Sequence, residues 1–144
     1  DKFQEAEDAG SLNVIAAGND SNNNDNRPTY PASYDVDSIV SVAASTNRDT
    51  LASFSNYGRT TVDLAAPGHN IISTVPDGKY DTFSGTSMAA PHVAGAASLL
   101  LSLEPGLTPQ ELKDRLIKSV DKVSSLSSRS VSAGRLNLYK LITD

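Results

Sequence analysis

The sequence contains no cysteine, which removes disulfides and thiolate zinc sites and is compatible with a secreted protein that has a sizeable core. Nor is there an excess of basic charge: 12 Lys and Arg face 17 Asp and Glu, for a net −5. That balance speaks against a nucleic-acid partner, which would call for clustered cations. No apolar run approaches the roughly 18 residues of a membrane span, because Ala94 to Leu101 is broken by Ser102 and then by Glu104-Pro105. Internal repeats are absent. The first eight residues are charged and helix-like, unlike the basic-then-apolar order of a signal peptide. At 144 residues the chain is one domain's worth, and a self-contained domain of that size buries roughly 68% of its unfolded surface.

The pattern along the chain predicts an α/β arrangement. Residues 1 to 9 read as the tail of a helix with no N-cap before it and Gly10 as its stop, so the chain is expected to begin inside an element. Leu12 to Ala17 is a short apolar run that fits a strand buried on both faces of a parallel sheet. Asn19 to Asn26 reads as a surface loop; it lacks the glycine and glutamate that an EF-hand calcium loop requires. Ser38 to Ala44 and Thr61 to Leu64 supply two further strands, with a turn at Phe54 to Gly58. Ile71 to Val75 and Tyr80 to Phe83 flank a turn and predict a hairpin that delivers the chain to Ser84-Gly85. Ser87 to Leu103 is almost uncharged and predicts a helix enclosed on most sides. Thr108-Pro109-Gln110-Glu111 is a capping box opening an amphipathic helix with Leu112, Leu116 and Val120 as its stripe. Glu111 with Arg115, and Asp114 with Lys118, are spaced to pair on its surface. A serine-rich loop, Ser124 to Ser132, leads to a terminal helix over Gly134 to Ile142.

The chemistry concentrates in Gly85-Thr86-Ser87-Met88-Ala89-Ala90-Pro91-His92-Val93-Ala94-Gly95. Here a glycine turn enters an apolar helix and presents the Ser87 hydroxyl beside the helix N-terminus. Unpaired amides and the positive end of the dipole favour an anionic intermediate there. A hydroxyl becomes a useful nucleophile only when a base removes its proton. His92 is a poor base, since five residues along a helix place it about 140° around and roughly 7.5 Å along the axis. His69 reads as a solvated loop residue. Asn19 is the complementary group: a primary amide donates without titrating, and Asn19 follows a predicted strand, at the sheet end where α/β folds bind ligands. Its other reading is an Asx turn opening a polar loop.

The Gly85 to Gly95 run resembles the nucleophile segment of the subtilisin-like serine proteases, and Val14-Ile15-Ala16-Ala17-Gly18-Asn19-Asp20 resembles the segment that supplies their oxyanion donor. The resemblance covers nearly all of the chain and implies the C-terminal portion of a doubly wound, mostly parallel-sheet subtilisin-like domain. It implies that Ser87 is the nucleophile and Asn19 the side-chain oxyanion donor. It further implies that Ala16, Ala17, Gly18 and Thr29 line the substrate pocket and that the Tyr30-Pro31 peptide is cis. No cofactor is required for such chemistry. A structural Ca2+ or monovalent cation is implied at the Ala32 and Tyr34 carbonyls and the Asp63 carboxylate. The family's triad aspartate and histidine come from upstream motifs not found in these 144 residues, so the expectation is a partial peptidase domain, inactive alone. Its implied partners are polypeptide substrates, the N-terminal half of the same domain, and a prodomain or inhibitor; its implied setting is secreted or lumenal. A lipase-type elbow is excluded because Ala89 stands where Gly-x-Ser-x-Gly needs glycine. The alternative reading is a non-catalytic relative that keeps the fold for binding.

Overall fold

The computed structural model describes residues 2–143. The predicted first helix is α1 (Lys2–Asp8); its expected extension to Asp1 lies outside the described residues. A five-stranded sheet runs in the order β1-β2-β3-β7-β6. Its strands are β1 (Asn13–Ala16), β2 (Ile39–Ser45), β3 (Leu64–Pro67), β6 (Asp121–Lys122) and β7 (Gly134–Arg135). The first three and β7 are parallel, with Ala16 opposite Val42 and Val42 opposite Leu64. Only β6 runs antiparallel, against β7. A separate hairpin pairs β4 (Ile71–Val75) with β5 (Lys79–Phe83) around a 3-10 turn.

Every residue of β2 is buried, because its alternating side chains meet two different cores. Val40, Val42 and Ala44, with Leu64 and Ala66 of β3, pack under α2 (Thr86–Leu103), α3 (Pro109–Lys118) and α4 (Leu138–Thr143) through Val93, Leu100, Leu116 and Leu141. On the other face Ala43 and Ala65 meet Ala17, Val62 and Leu126.

Several elements depart from the sequence pattern. The third strand begins at Leu64 rather than ending there. The β-branched Thr61-Val62 precedes the ladder, which Leu64, Ala65 and Ala66 carry: Leu64 and Ala66 pack in the core under α2, and Ala65 in the core on the other face. The predicted terminal helix splits: Gly134–Arg135 joins the sheet and only Leu138–Thr143 is helical. The capping box of α3 forms as expected, but it consumes Glu111. Arg115 therefore pairs with Glu104 at 3.2 Å and donates to the Leu141 carbonyl at 3.1 Å, while Asp114 and Lys118 approach to 3.7 Å as expected.

The largest departure is α2. Of its eighteen residues only Thr86, Ala89, Val93, Ala96, Ala97 and Leu100 are buried, so it is not enclosed by this chain. With a mean hydropathy of 1.2 it is also long and apolar enough to cross a membrane, which the sequence reading did not anticipate. Its buried side chains are nonetheless those of a core helix lying on the sheet.

Candidate active site

Hydrogen bonds fix the turn into α2 from two sides. On one side Gly85 N donates to the Gly68 carbonyl at 2.8 Å, and Asn70 N donates to Ser84 Oγ at 2.9 Å. Gly68 has to be glycine for this approach: a Cβ there would lie 2.6 Å from Ala44 Cβ and 2.8 Å from the Gly85 oxygen. On the other side Asn19 Oδ1 accepts from the Thr86 amide and from the Thr86 hydroxyl, each at 2.9 Å. Thr86 Oγ1 also accepts from Gly18 N at 3.2 Å.

The Thr86 contact determines which way Asn19 points. A backbone N–H can only donate, so the atom facing it must be the amide oxygen, and the amide nitrogen must face away. That nitrogen looks onto Gly85: a methyl group built on Gly85 would sit 3.5 Å from Asn19 Nδ2 and 3.7 Å from Ser87 N. The first amides of α2 are otherwise committed, Thr86 N to Asn19 and Met88 N to the Gly85 carbonyl at 3.0 Å. Ser87 N and Asn19 Nδ2 are left as two donors without partners among the described residues, converging on the space that glycine leaves open. Two preorganised donors around one small space suit a developing oxyanion.

The Ser87 side chain is exposed on a cavity of about 320 Å³ that it shares with Ile71, Ile72, Ser73, Met88, Pro91 and His92. His92 Nδ1 is engaged by the Met88 carbonyl at 2.8 Å, and no hydrogen bond joins it to Ser87 among the described residues. His69 is exposed and stacks on Phe54, with ring centroids 6.3 Å apart.

The other expected residues divide. Gly18 takes φ +111°, and a Cβ there would clash with Asn56 Nδ2 at 2.4 Å; this turn brings Asn19 to Thr86. Ala16 and Thr29 are half-buried beside it. Ala17 is fully buried, its methyl packed with Ala43 and Ala65, so its side chain is unavailable to a substrate. The Ala17 carbonyl accepts from Asn24 Nδ2 at 2.9 Å and Asn56 Nδ2 at 3.1 Å. Asn56 also bonds Thr29 Oγ1 at 3.1 Å and accepts from the Asp20 amide at 2.8 Å. The Asn-rich segment is therefore not simply a solvated loop: Asn24 is fully buried, and its amide, with that of the buried Asn56 from the Phe54 to Gly58 turn, holds the strand end. The Tyr30-Pro31 peptide is cis.

Ala32, Tyr34 and Asp63 do line one cavity, of about 320 Å³, but Lys113 lines it too. Lys113 Nζ lies 3.5 Å from Asp63 Oδ1 and donates to the Ile39 carbonyl at 2.6 Å. Asp63 Oδ2 accepts from Ser41 N at 2.7 Å. Burial pushes the Asp63 carboxyl above its ordinary range, although the Lys113 ammonium and the Ser41 amide pull the other way. Calcium needs six to eight oxygens, and here the single carboxylate is already shared between an ammonium and an amide. The donor set does not fit a metal ion.

Sequence reasoning missed Thr86, Asn24, Asn56, Gly68 and Lys113. Thr86 sat in plain view within Gly85-Thr86-Ser87, but its hydroxyl acts on Asn19, which is remote in sequence.

Comparison with known proteins agrees with this geometry. Residues 1–134 match Peptidase_S8, the subtilase family. Subtilisin-like protease 2 of Plasmodium falciparum is 41% identical over 132 residues, covering 89% of this chain and 10% of that protein. Thermitase of Thermoactinomyces vulgaris is 42% identical over 133 residues, covering 92% and 44%. Among solved structures, a protease from Pseudoalteromonas arctica PAMC 21717 superposes with a TM-score of 0.87 at 30% identity, over 97% of this chain and 44% of that one. The chain thus spans less than half the length of these relatives. Its mainly parallel α/β sheet, its turn into α2 and these similarities together show that the chain belongs to the subtilase family.

Proposed function

We propose that these residues are the nucleophile and oxyanion half of a serine endopeptidase, a partial peptidase domain completed by a segment outside residues 1–144. Ser87 Oγ attacks the scissile carbonyl carbon and its proton passes to a histidine of that segment. The carbonyl oxygen, now negative, sits beside Gly85 and receives hydrogen bonds from Asn19 Nδ2 and Ser87 N. Collapse of the tetrahedral intermediate breaks the C–N bond, the amine leaves with the transferred proton, and water later hydrolyses the acyl group from Ser87. Ala16, Gly18 and Thr29 form one wall of the pocket for the substrate side chain.

The observation that carries this reading is the pair of unpartnered donors, Asn19 Nδ2 and Ser87 N, at 3.5 and 3.7 Å from the same point beside Gly85. The groove of about 230 Å³ between Leu12 and the β1 residue Val14 on one side and Ala94, Ser98 and Leu101 of α2 on the other is the surface on which we place the completing segment. Secretion, with a prodomain or inhibitor as a further partner, fits relatives whose names include an extracellular basic protease of Dichelobacter nodosus.

The test is labelling of the full-length protein by a fluorophosphonate, with Ser87→Ala beside it. Covalent modification of Ser87, absent from the variant, is the expected result. A properly folded full-length protein that takes up no label at Ser87 rules out the peptidase reading in favour of a binding role.

A further inference from the structure

We propose that Lys113 is a built-in replacement for the cation that the pocket of Ala32, Tyr34 and Asp63 would otherwise take, so that this part of the substrate-side wall is held without any free ion. Asp63 is 8% exposed, and a carboxylate so placed needs a compensating charge nearby. The compensation comes from α3. The Thr108–Glu111 capping box fixes where that helix starts, and buried Leu112 and Leu116 anchor its inner face in the core. Lys113 is thereby held beside the cavity, its side chain 18% exposed.

The ammonium then does what a coordinated cation would do. It faces Asp63 Oδ1 at 3.5 Å and draws in a carbonyl oxygen, that of Ile39, at 2.6 Å. The remaining carboxylate oxygen is engaged by the Ser41 amide at 2.7 Å. A positive charge on a tethered side chain repels a second cation from the same cavity, and its presence does not depend on ionic conditions. Unlike a free ion, it ties α3 to Asp63 at the entrance of β3 and to Ile39 at the start of β2. This inference rests on the cavity alone and is independent of the role of Ser87.

The experiment is thermal unfolding of the full-length protein at constant ionic strength. Choline chloride is replaced stepwise by NaCl, KCl or CaCl2 for the wild type, Asp63→Asn, Lys113→Met, Lys113→Arg and the Lys113→Met/Asp63→Asn double variant. Cation sites elsewhere in the full protein contribute equally to all five. Wild type, Asp63→Asn and Lys113→Arg should show the same cation response. Lys113→Met should melt lower in choline and gain an additional rise of about 2 °C or more with one of the metal cations, a rise that the double variant lacks. A cation response smaller in Asp63→Asn than in wild type would show that Asp63 binds an ion despite Lys113 and would overturn the proposal. So would a Lys113→Met protein with no added cation response. If Lys113→Met does not fold, the wild-type, Asp63→Asn and Lys113→Arg curves decide: equal responses support the proposal, and a deficit in Asp63→Asn or a gain in Lys113→Arg refutes it.

Discussion

The N-terminal tip of α2 and its outer flank belong to one helix but to two different kinds of surface. At the tip nearly every donor and acceptor has a partner in the chain: Thr86 is tied to Asn19 and Gly18, Gly85 to Gly68, and Met88 to Gly85. Ser87 N and Asn19 Nδ2, two donors without partners among the described residues, lie near one place beside Gly85. Along the flank, Pro91, Ala94, Gly95, Ser98 and Leu101 are exposed, although helical spacing puts them on one face and their side chains are small or apolar. The tip is a finished hydrogen-bonded device, whereas the flank awaits cover. The difference matches the proposed function, in which this chain holds the oxyanion and another segment moves the proton.

The sharpest way to break the tip is to remove its donor. In the full-length enzyme Asn19→Ala should lower kcat by about 10² to 10³ with little change in KM, a range already known for a subtilisin rather than derived from this structure. Steady-state kinetics checks it. An unchanged kcat would mean that the oxyanion lies elsewhere.

The flank is challenged by charge. Ser98→Glu in the full-length protein should cost about 3 kcal/mol of stability, because it buries a carboxylate without a partner. Denaturant midpoints measure this. A midpoint unchanged from wild type would show that the groove between β1 and α2 faces water.

Thr86→Val tests how the tip is held. It removes the hydroxyl that donates to Asn19 Oδ1 and accepts from Gly18 N but leaves the backbone donor, so kcat should fall about tenfold, or about 1.4 kcal/mol. Thr86→Ser should restore most of the loss.

A smaller effect lies away from both regions. Burial pushes the Asp25 carboxyl up, but the Thr61 and Thr60 hydroxyls and the Thr60 and Arg59 amides outweigh it and hold it below its ordinary value of 3.8. A depressed carboxyl contributes stability that is present above its unfolded value and is lost as pH falls through the folded one. Asp25→Asn should therefore be less stable than wild type near neutral pH, and the two should converge in acid. Urea midpoints across that range check the slope. Parallel curves would show that Asp25 contributes nothing through its charge.

These regions were not equally legible in the sequence. The hairpin, the α3 capping box and the helix after Ser87 were written in local patterns, because turn residues, caps and periodicity act over a few positions. Ser87 and Asn19 could be picked out because each sits in a short, distinctive string. What stayed hidden depends on contacts between distant residues. Thr86 pins Asn19 and Asn56 supports Ala17, and neither relation leaves a local mark. β3 was displaced because its alanines are set by packing on the two faces of the sheet, Ala66 under α2 and Ala65 in the opposite core, and strand propensity does not mark them. Lys113 looked like one more charge on an amphipathic helix until the fold placed it beside Asp63. The α2 flank is a related case: composition records that a face is apolar, not which polypeptide covers it.

The central claim is that Thr86 acts through Asn19 to aim one oxyanion donor at the space beside Gly85. A double-mutant cycle on kcat of the full-length enzyme, with Asn19→Ala, Thr86→Val and the pair combined, tests it most directly. If Thr86 works by orienting Asn19, the double variant should be no slower than Asn19→Ala alone. If the two losses multiply, Thr86 acts independently of Asn19 and the proposed arrangement of the donor is wrong.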